Sequence, residues 1–274
     1  MDDPVELKLE GPIGRILLRR PHVRNALDWH AIQAFASCIN RVAHVEGLRS
    51  LIVSGEGPVF CAGGDLVALS AFTSRRDAAR LARVMSRALF RLETLPVPTI
   101  AAIEGPALGG GAEIALACDL RVMADDAVLG MTHIHLAVVP AWGGGQRLLR
   151  LVGYARAFEW LISGRAISAE EAVQAGLANR VTPSGSALEG ALALAQSFLG
   201  FDASAVRAVK RIVLAGASLP PASAMRRERS EFPDLWAAPA HWQAAKDRLA
   251  RITGQPDSAN LRGPVVQDND GGDP

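Results

Sequence analysis

Gly105-Pro106-Ala107-Leu108-Gly109-Gly110-Gly111-Ala112-Glu113 follows the short apolar run Thr99 to Ile103 and leads straight into a second apolar run, Ala112 to Cys118. The first run reads as a strand and the second as a buried helix, so the glycines stand where a strand hands over to a helix. Phe60-Cys61-Ala62-Gly63-Gly64-Asp65-Leu66 repeats the arrangement after the strand Arg49 to Ser54, which ends in Gly55 and Gly57. A helix N-terminus carries unpaired N–H groups and a partial positive charge, and two such ends facing each other make a backbone site for a developing oxyanion. Glycine lets a substrate approach that backbone closely. The plainer reading, that glycines only make tight turns, suits a lone Gly-Gly pair better than two such loops. Neither loop cradles a nucleotide: Gly109 to Gly111 lacks a following Gly-Lys-Ser/Thr, and no G-x-G-x-x-G opens a helix with an acid about 20 residues on.

Outward from these loops the strand, glycine loop, helix rhythm continues, which predicts an α/β fold. Val5 to Leu9 and Gly14 to Leu18 flank the turn Gly11-Pro12 as a strand pair. Asp28 is placed to cap a helix whose apolar residues return at Ile32, Phe35, Ala36, Ile39 and Val42. Leu120 to Met123 is a further strand. From Gly145 onward the pattern is mainly helical, with segments near 145–151, 155–162, 169–175, 187–199, 203–214, 222–235 and 239–252. The expected organisation is a core over residues 1–197, a helical C-terminal region over 198–253, and a tail over 254–274. That tail is rich in Gly, Pro, Asp and Asn and too poor in apolar groups to order itself.

The bulk numbers exclude several function classes. With 29 Lys and Arg against 28 Asp and Glu, the net charge of +1 supplies no field to gather nucleic acid or an anionic membrane. The apolar stretches 97–103 and 112–117 fall far short of the roughly 20 residues that span a bilayer. Three cysteines, Cys38, Cys61 and Cys118, lack C-x-x-C or zinc-like spacing, so neither a disulfide framework nor a structural metal is expected. The opening MDDPVELKLEGPIGRILLRR has no unbroken apolar run of the secretory kind, and a cytoplasmic setting is expected.

In order along the chain, Arg24-Asn25-Ala26-Leu27, the F-x-A-G-x-D-L loop, the G-x-A-L-G-G-G-x-E loop and Pro140-x-x-Gly143-Gly144-x-Gln146-Arg147-Leu148 resemble the motifs of the crotonase (enoyl-CoA hydratase/isomerase) superfamily. The match extends over roughly 5–253. It implies a crotonase-type spiral of ββα units with a helical C-terminal trimerisation region, assembling as trimers that often pair into hexamers. It implies an acyl-CoA thioester substrate, with no separate cofactor because coenzyme A is part of that substrate. Position by position, Gly64 and Gly110 match the two backbone N–H groups that grip the thioester carbonyl. Ala26, Ala62 and Leu66 match the lining of the coenzyme A path, and Arg24 is placed to reach a phosphate, although an arginine beside such a loop is as often plain solvated surface.

The pattern then departs. Hydratases of the superfamily hold water between two glutamates; Glu113 matches the first, but His133 stands at the second position. A paired-carboxylate water activator is thus incomplete. His133, Trp142 within P-x-W-G-G, and the later Arg227-Glu228-Arg229 to Trp236-x-x-Pro239-Ala240 look like the ethylmalonyl-CoA decarboxylase branch. Decarboxylating an alkylmalonyl thioester generates an enolate directly and needs no base to remove a carbon-bound proton. His133 would orient the leaving carboxylate or protonate the enolate; a structural histidine in a diverged hydratase is the alternative. Trp142 would supply an apolar wall, with core packing an equal alternative. Glu113 is expected to be turned away, hydrogen-bonded, or protonated by burial and acting as the proton donor. The His133-x-His135 spacing suggests a metal pair, because alternate residues share a strand face, but no third ligand stands at a suitable spacing and no metal is expected. Cys61 has no base partner and reads as core. An enoyl-CoA hydratase or isomerase using Glu113 alone, or a non-catalytic acyl-CoA binder, are the competing readings.

Overall fold

A computed structural model describes residues 3–253. The chain opens with β1 (Val5–Glu10) and β2 (Ile13–Leu18), an antiparallel pair in which Leu7 faces Ile16. Helix α1 (Trp29–Val42) follows, its Asp28 cap accepting the Ala31 N–H at 2.7 Å. β3 (Ser50–Gly55) then adds parallel to β2, with Ile16 opposite Val53. After the short α2 (Leu66–Leu69) and the long α3 (Arg75–Glu93), β4 (Thr99–Ile103) adds parallel to β3. The two-residue β5 (Ala107–Leu108) leads into α4 (Gly110–Ala117). β6 (Leu120–Ala124) lies parallel to β4, and β7 (Val128–Gly130) pairs with β5.

Helices α5 (Gly144–Val152) and α6 (Tyr154–Ser163) precede β8 (Ala166–Ser168), which closes a second sheet of order β5-β7-β8. Then come α7 (Ala169–Gln174), β9 (Arg180–Thr182), α8 (Ala187–Gln196) and α9 (Ala203–Ser218). β9 completes the main sheet, whose order is β1-β2-β3-β4-β6-β9.

β3 and β4 are buried almost throughout because helices cover both faces of these parallel strands. Side chains alternate between the faces. Leu51, Val53, Ala101 and Ile103 join the larger apolar cluster with Phe35 and Ile39 of α1 and Leu89 of α3. Ile52, Ile100 and Ala102 face the other way, against Ala191, Leu194 and Ala195 of α8.

Most segments expected from sequence lie within a few residues of their observed places. Several observed elements have no counterpart in the sequence reading, among them β7, β8 and β9, and the longest of these is α3. Its signals are present: Ser74 caps the first turn by accepting the Asp77 N–H at 3.1 Å, and Met85, Ala88, Leu89 and Leu92 form one buried stripe. Its many arginines mask that stripe.

The chain divides into two compact units, with the second beginning at Pro221. The helical region expected from residue 198 therefore falls in two parts. α9 belongs to the first unit, where Lys210 Nζ donates to Val97 O at 2.8 Å and to Asp119 Oδ2 at 2.7 Å. Asp119 Oδ2 also accepts the Thr99 N–H at 2.7 Å. Asp119→Ala would leave the buried ammonium of Lys210 with the Val97 carbonyl but without its carboxylate, and the expected loss of stability is about 3 kcal/mol. Urea midpoints for the two proteins check this, and equal midpoints would contradict it.

The second unit contains α10 (Pro221–Ala237) and α11 (Pro239–Thr253). Trp236 joins them through ring contacts with His241 and Trp242, at centroid separations of 4.6 and 5.3 Å. The tail expected over 254–274 lies outside the described residues.

Candidate active site

In each of the two glycine loops the backbone hydrogen bonds fix the direction of one N–H. In the first loop, Leu27 N–H donates to Gly63 O at 2.8 Å and Asp65 N–H to Leu27 O at 3.0 Å. No cis peptide bond occurs among the described residues. In a trans peptide the carbonyl and the next N–H point oppositely, so the Gly64 N–H faces away from Leu27. Gly63 sits at φ +98°, which a side-chain-bearing residue rarely adopts.

In the second loop, Gly109 adopts φ 53°, ψ −120°, and its carbonyl accepts the Glu113 N–H at 3.1 Å. The N–H of Gly110 therefore projects beyond the first turn of α4, where no helical acceptor exists. Leu108 N–H donates to Cys61 O at 2.9 Å and fastens the loops together. A Cβ built on Gly63 would stand 3.2 Å from the Gly110 nitrogen. Gly64 and Gly110, singled out by their sequence context, thus stand on abutting segments.

Three residue positions after Gly110, roughly one turn on, Glu113 is 1% exposed. Its Oε2 accepts the N–H groups of Trp142 and Gly144 at 2.9 and 2.8 Å, and its Oε1 lies 3.2 Å from His133 Nε2. Of the three alternatives left open for Glu113, the structure shows the hydrogen-bonded one. The other imidazole nitrogen, Nδ1 of His133, is buried and finds no hydrogen-bond partner among the described residues. An unmet buried polar atom costs about 1–3 kcal/mol, so it marks a place where a polar ligand group gains by arriving.

Trp142, 6% exposed, lays its indole directly over the Cα of Gly110, so that a methyl group there would overlap the ring. The indole is therefore packed against the segment that presents the Gly110 N–H. Its peptide is held at both ends: Glu113 takes the N–H, and Arg147 Nη1 donates to its carbonyl at 2.9 Å. Arg147 is in turn fixed by Glu93 of α3 at 2.7 Å. Sequence reasoning named Arg147 only within a motif and missed Glu93, 54 residues away in the chain, because no local pattern reports such a pairing.

One premise is corrected. Residues Thr132–Leu136 form a 3-10 helix, so His133 and His135 do not share a strand face. His135 Nε2 instead meets Gly164 O at 3.1 Å.

The residues expected along the coenzyme A path cluster beside the first loop. Arg24 and Asn25 both adopt left-handed backbone, at φ 57° and 55°. Arg24 is exposed, whereas Asn25 is buried and its side chain pins the strand end by donating to Glu56 O and Val59 O. Ala62 N–H donates to Arg24 O at 3.0 Å, Ala26 is buried, and Leu66 is exposed at the start of α2. Arg20, which the sequence reading passed over, binds the Ala26 carbonyl, Asp28 at 2.9 Å and Asp65 at 3.1 Å. The Ala68 N–H, with help from Arg20, holds the Asp65 carboxyl below its ordinary range. Burial pushes the Cys61 thiol up to about 12, which keeps it protonated and unreactive near neutral pH.

A family model described as enoyl-CoA hydratase/isomerase matches residues 8–243. Among curated proteins, ethylmalonyl-CoA decarboxylase of Gallus gallus is 34% identical over 239 residues, covering 86% of this chain and 80% of that protein. A probable enoyl-CoA hydratase of Bacillus subtilis (strain 168) is 41% identical over 153 residues, covering 56% of this chain and 59% of that protein. Among solved structures, an enoyl-CoA hydratase from Bacillus anthracis superposes with a TM-score of 0.84 at 30% identity, covering 92% of this chain and 97% of that one. No described helix is long and apolar enough to cross a membrane.

Proposed function

Given that the chain belongs to the enoyl-CoA hydratase/isomerase (crotonase) family, we propose that it is a lyase that decarboxylates a short alkylmalonyl-CoA, ethylmalonyl- or methylmalonyl-CoA, through a thioester enolate. The observation that carries this reading is His133. By the resemblance it stands where hydratases hold a second glutamate; it is bonded through Nε2 to Glu113, and its buried Nδ1 has no hydrogen-bond partner among the described residues. The 34% identical decarboxylase of Gallus gallus supports the same assignment.

In this mechanism the thioester carbonyl lies between the Gly64 and Gly110 N–H groups. The bond from Cα to the carboxylate breaks, carbon dioxide leaves, and the electron pair moves into the enolate, whose oxygen takes the negative charge. Backbone donors aimed at that oxygen are each worth about 3 kcal/mol in the transition state. Trp142 supplies an apolar surface beside Gly110 that strips water from the departing carboxylate. His133, protonated on Nδ1, holds that carboxylate and then gives its proton to Cα, which completes butyryl- or propionyl-CoA. A second carboxylate at position 133 would repel the substrate's own. The residues Arg24, Ala26, Ala62 and Leu66 form the coenzyme A path in this proposal, and no cofactor beyond the substrate takes part.

Purified protein given ethylmalonyl-, methylmalonyl- and crotonyl-CoA separately tests the reading. Carbon dioxide with butyryl- or propionyl-CoA, and little hydration of crotonyl-CoA, is the expected result. Rapid hydration without carbon dioxide would replace it with a hydratase centred on Glu113, the activity named for the Bacillus subtilis relative.

A further inference from the structure

We infer that Glu113 acts as a positioning residue that fixes which nitrogen of His133 carries the ring proton, and that it does not act as an acid or base itself. This inference rests on the decarboxylation reading for its consequence but not for its geometry. Oε2 of Glu113 already accepts two backbone N–H groups, from Trp142 and Gly144. Oε1 faces His133 Nε2 at 3.2 Å. Between an imidazole nitrogen and a carboxylate the nitrogen is ordinarily the stronger base, so the shared proton sits on Nε2 and Nε2 donates. In the neutral ring Nδ1 is then the bare acceptor, the nitrogen that can take up a proton and pass it to carbon.

The surroundings leave Glu113 little freedom for other work. Gly144 is pressed against it so closely that a Cβ there would stand 2.9 Å from Oε2, and the same Cβ would crowd Met131 at 2.9 Å. With Oε2 engaged by two donors and Oε1 facing the imidazole, the carboxylate is occupied as a bracket. That bracket ties His133 and the Trp142 peptide to the helix that presents Gly110.

Glu113→Gln tests this because the carboxamide can satisfy the site in one orientation only. The two backbone donors require its oxygen, which turns the NH2 toward His133 Nε2. Nε2 must then accept, and the ring proton moves to Nδ1. The full-length protein, labelled with 15N-histidine and held at a pH where the ring is neutral, reports both nitrogens by long-range 1H–15N spectra. His133→Gln identifies the signals of residue 133 among the 6 histidines.

The proton is expected on Nε2 in the unsubstituted protein and on Nδ1 in Glu113→Gln. Because a proton on Nδ1 of a neutral ring can hold a carboxylate but is a poor acid toward carbon, kcat should fall by about 100-fold while KM changes less than about threefold. In D2O the deuterium at Cα of the product should lose its stereochemical preference in the variant. A proton on Nδ1 in the unsubstituted protein, or the same tautomer in both proteins, overturns the inference, and the first of these needs no variant to fold. Failure of the decarboxylation reading would show instead as absence of carbon dioxide, with the spectra unaffected.

Discussion

Gly110→Ala is expected to lower kcat/KM for the thioester substrate by about 10³ and to leave a folded protein. The added methyl has nowhere to go: it overlaps the six-membered ring of Trp142 and would lie 3.2 Å from Cε3. That indole cannot swing aside freely, since Glu113 and Arg147 hold its peptide at both ends. Either α4 or the indole must shift, and the N–H of residue 110 moves with it. A displacement of a few tenths of an ångström at a donor matters more to a transition state than to the fold, which should lose about 1–3 kcal/mol from overpacking. Steady-state kinetics together with urea denaturation separate the two effects. Trp142→Leu in the same chain opens the space, so the double variant should recover part of the lost rate relative to Gly110→Ala alone. Full activity in Gly110→Ala would remove the Gly110 N–H from the mechanism.

His133→Gln is the second large effect, with decarboxylation expected to fall by about 10³. Glutamine can keep a hydrogen bond to Glu113 Oε1, so the arrangement of Glu113, Trp142 and Gly144 should persist and the stability change should be small. What it cannot do is deliver a proton to the enolate carbon or carry the positive charge that holds a carboxylate. Rates of carbon dioxide release and of hydration, measured on the same preparation, distinguish the readings. A reaction that depends on Glu113 alone would lose little in this variant, and an unchanged decarboxylation rate would dismiss His133 from the chemistry.

The two loops were legible in the sequence because their geometry constrains composition. Gly63 and Gly109 need positive φ, and Gly110, Gly111 and Gly144 lie too close to neighbours to bear a side chain. Glycine leaves a mark that a reader can find. His133 stands out only beside the resemblance, as a departure from the hydratase pattern. Contacts made across the fold left no such mark. Glu93 reaches Arg147 from a helix whose charged surface hid its apolar stripe, and Arg20 gathers Ala26, Asp28 and Asp65 from a strand end. The short turn around His133 was misread for a related reason: alternation over a few residues does not separate a strand from a 3-10 turn. Trp142 reads equally as core packing and as a site wall; its side chain is buried and lies over Gly110.

The anion-holding half of the proposed machinery is written in the main chain and the reaction-selecting half in side chains. Every residue except proline brings an N–H, so no ordinary substitution deletes the donors at 64 and 110; a change can only misplace them. Positions 113, 133 and 142 carry no such protection: their chemistry goes with the side chain, and a change at 113 also frees the Trp142 and Gly144 N–H groups it holds. A protein divided in this way can keep its backbone donors in place while an exchange of one side chain alters the chemistry proposed to take place between them.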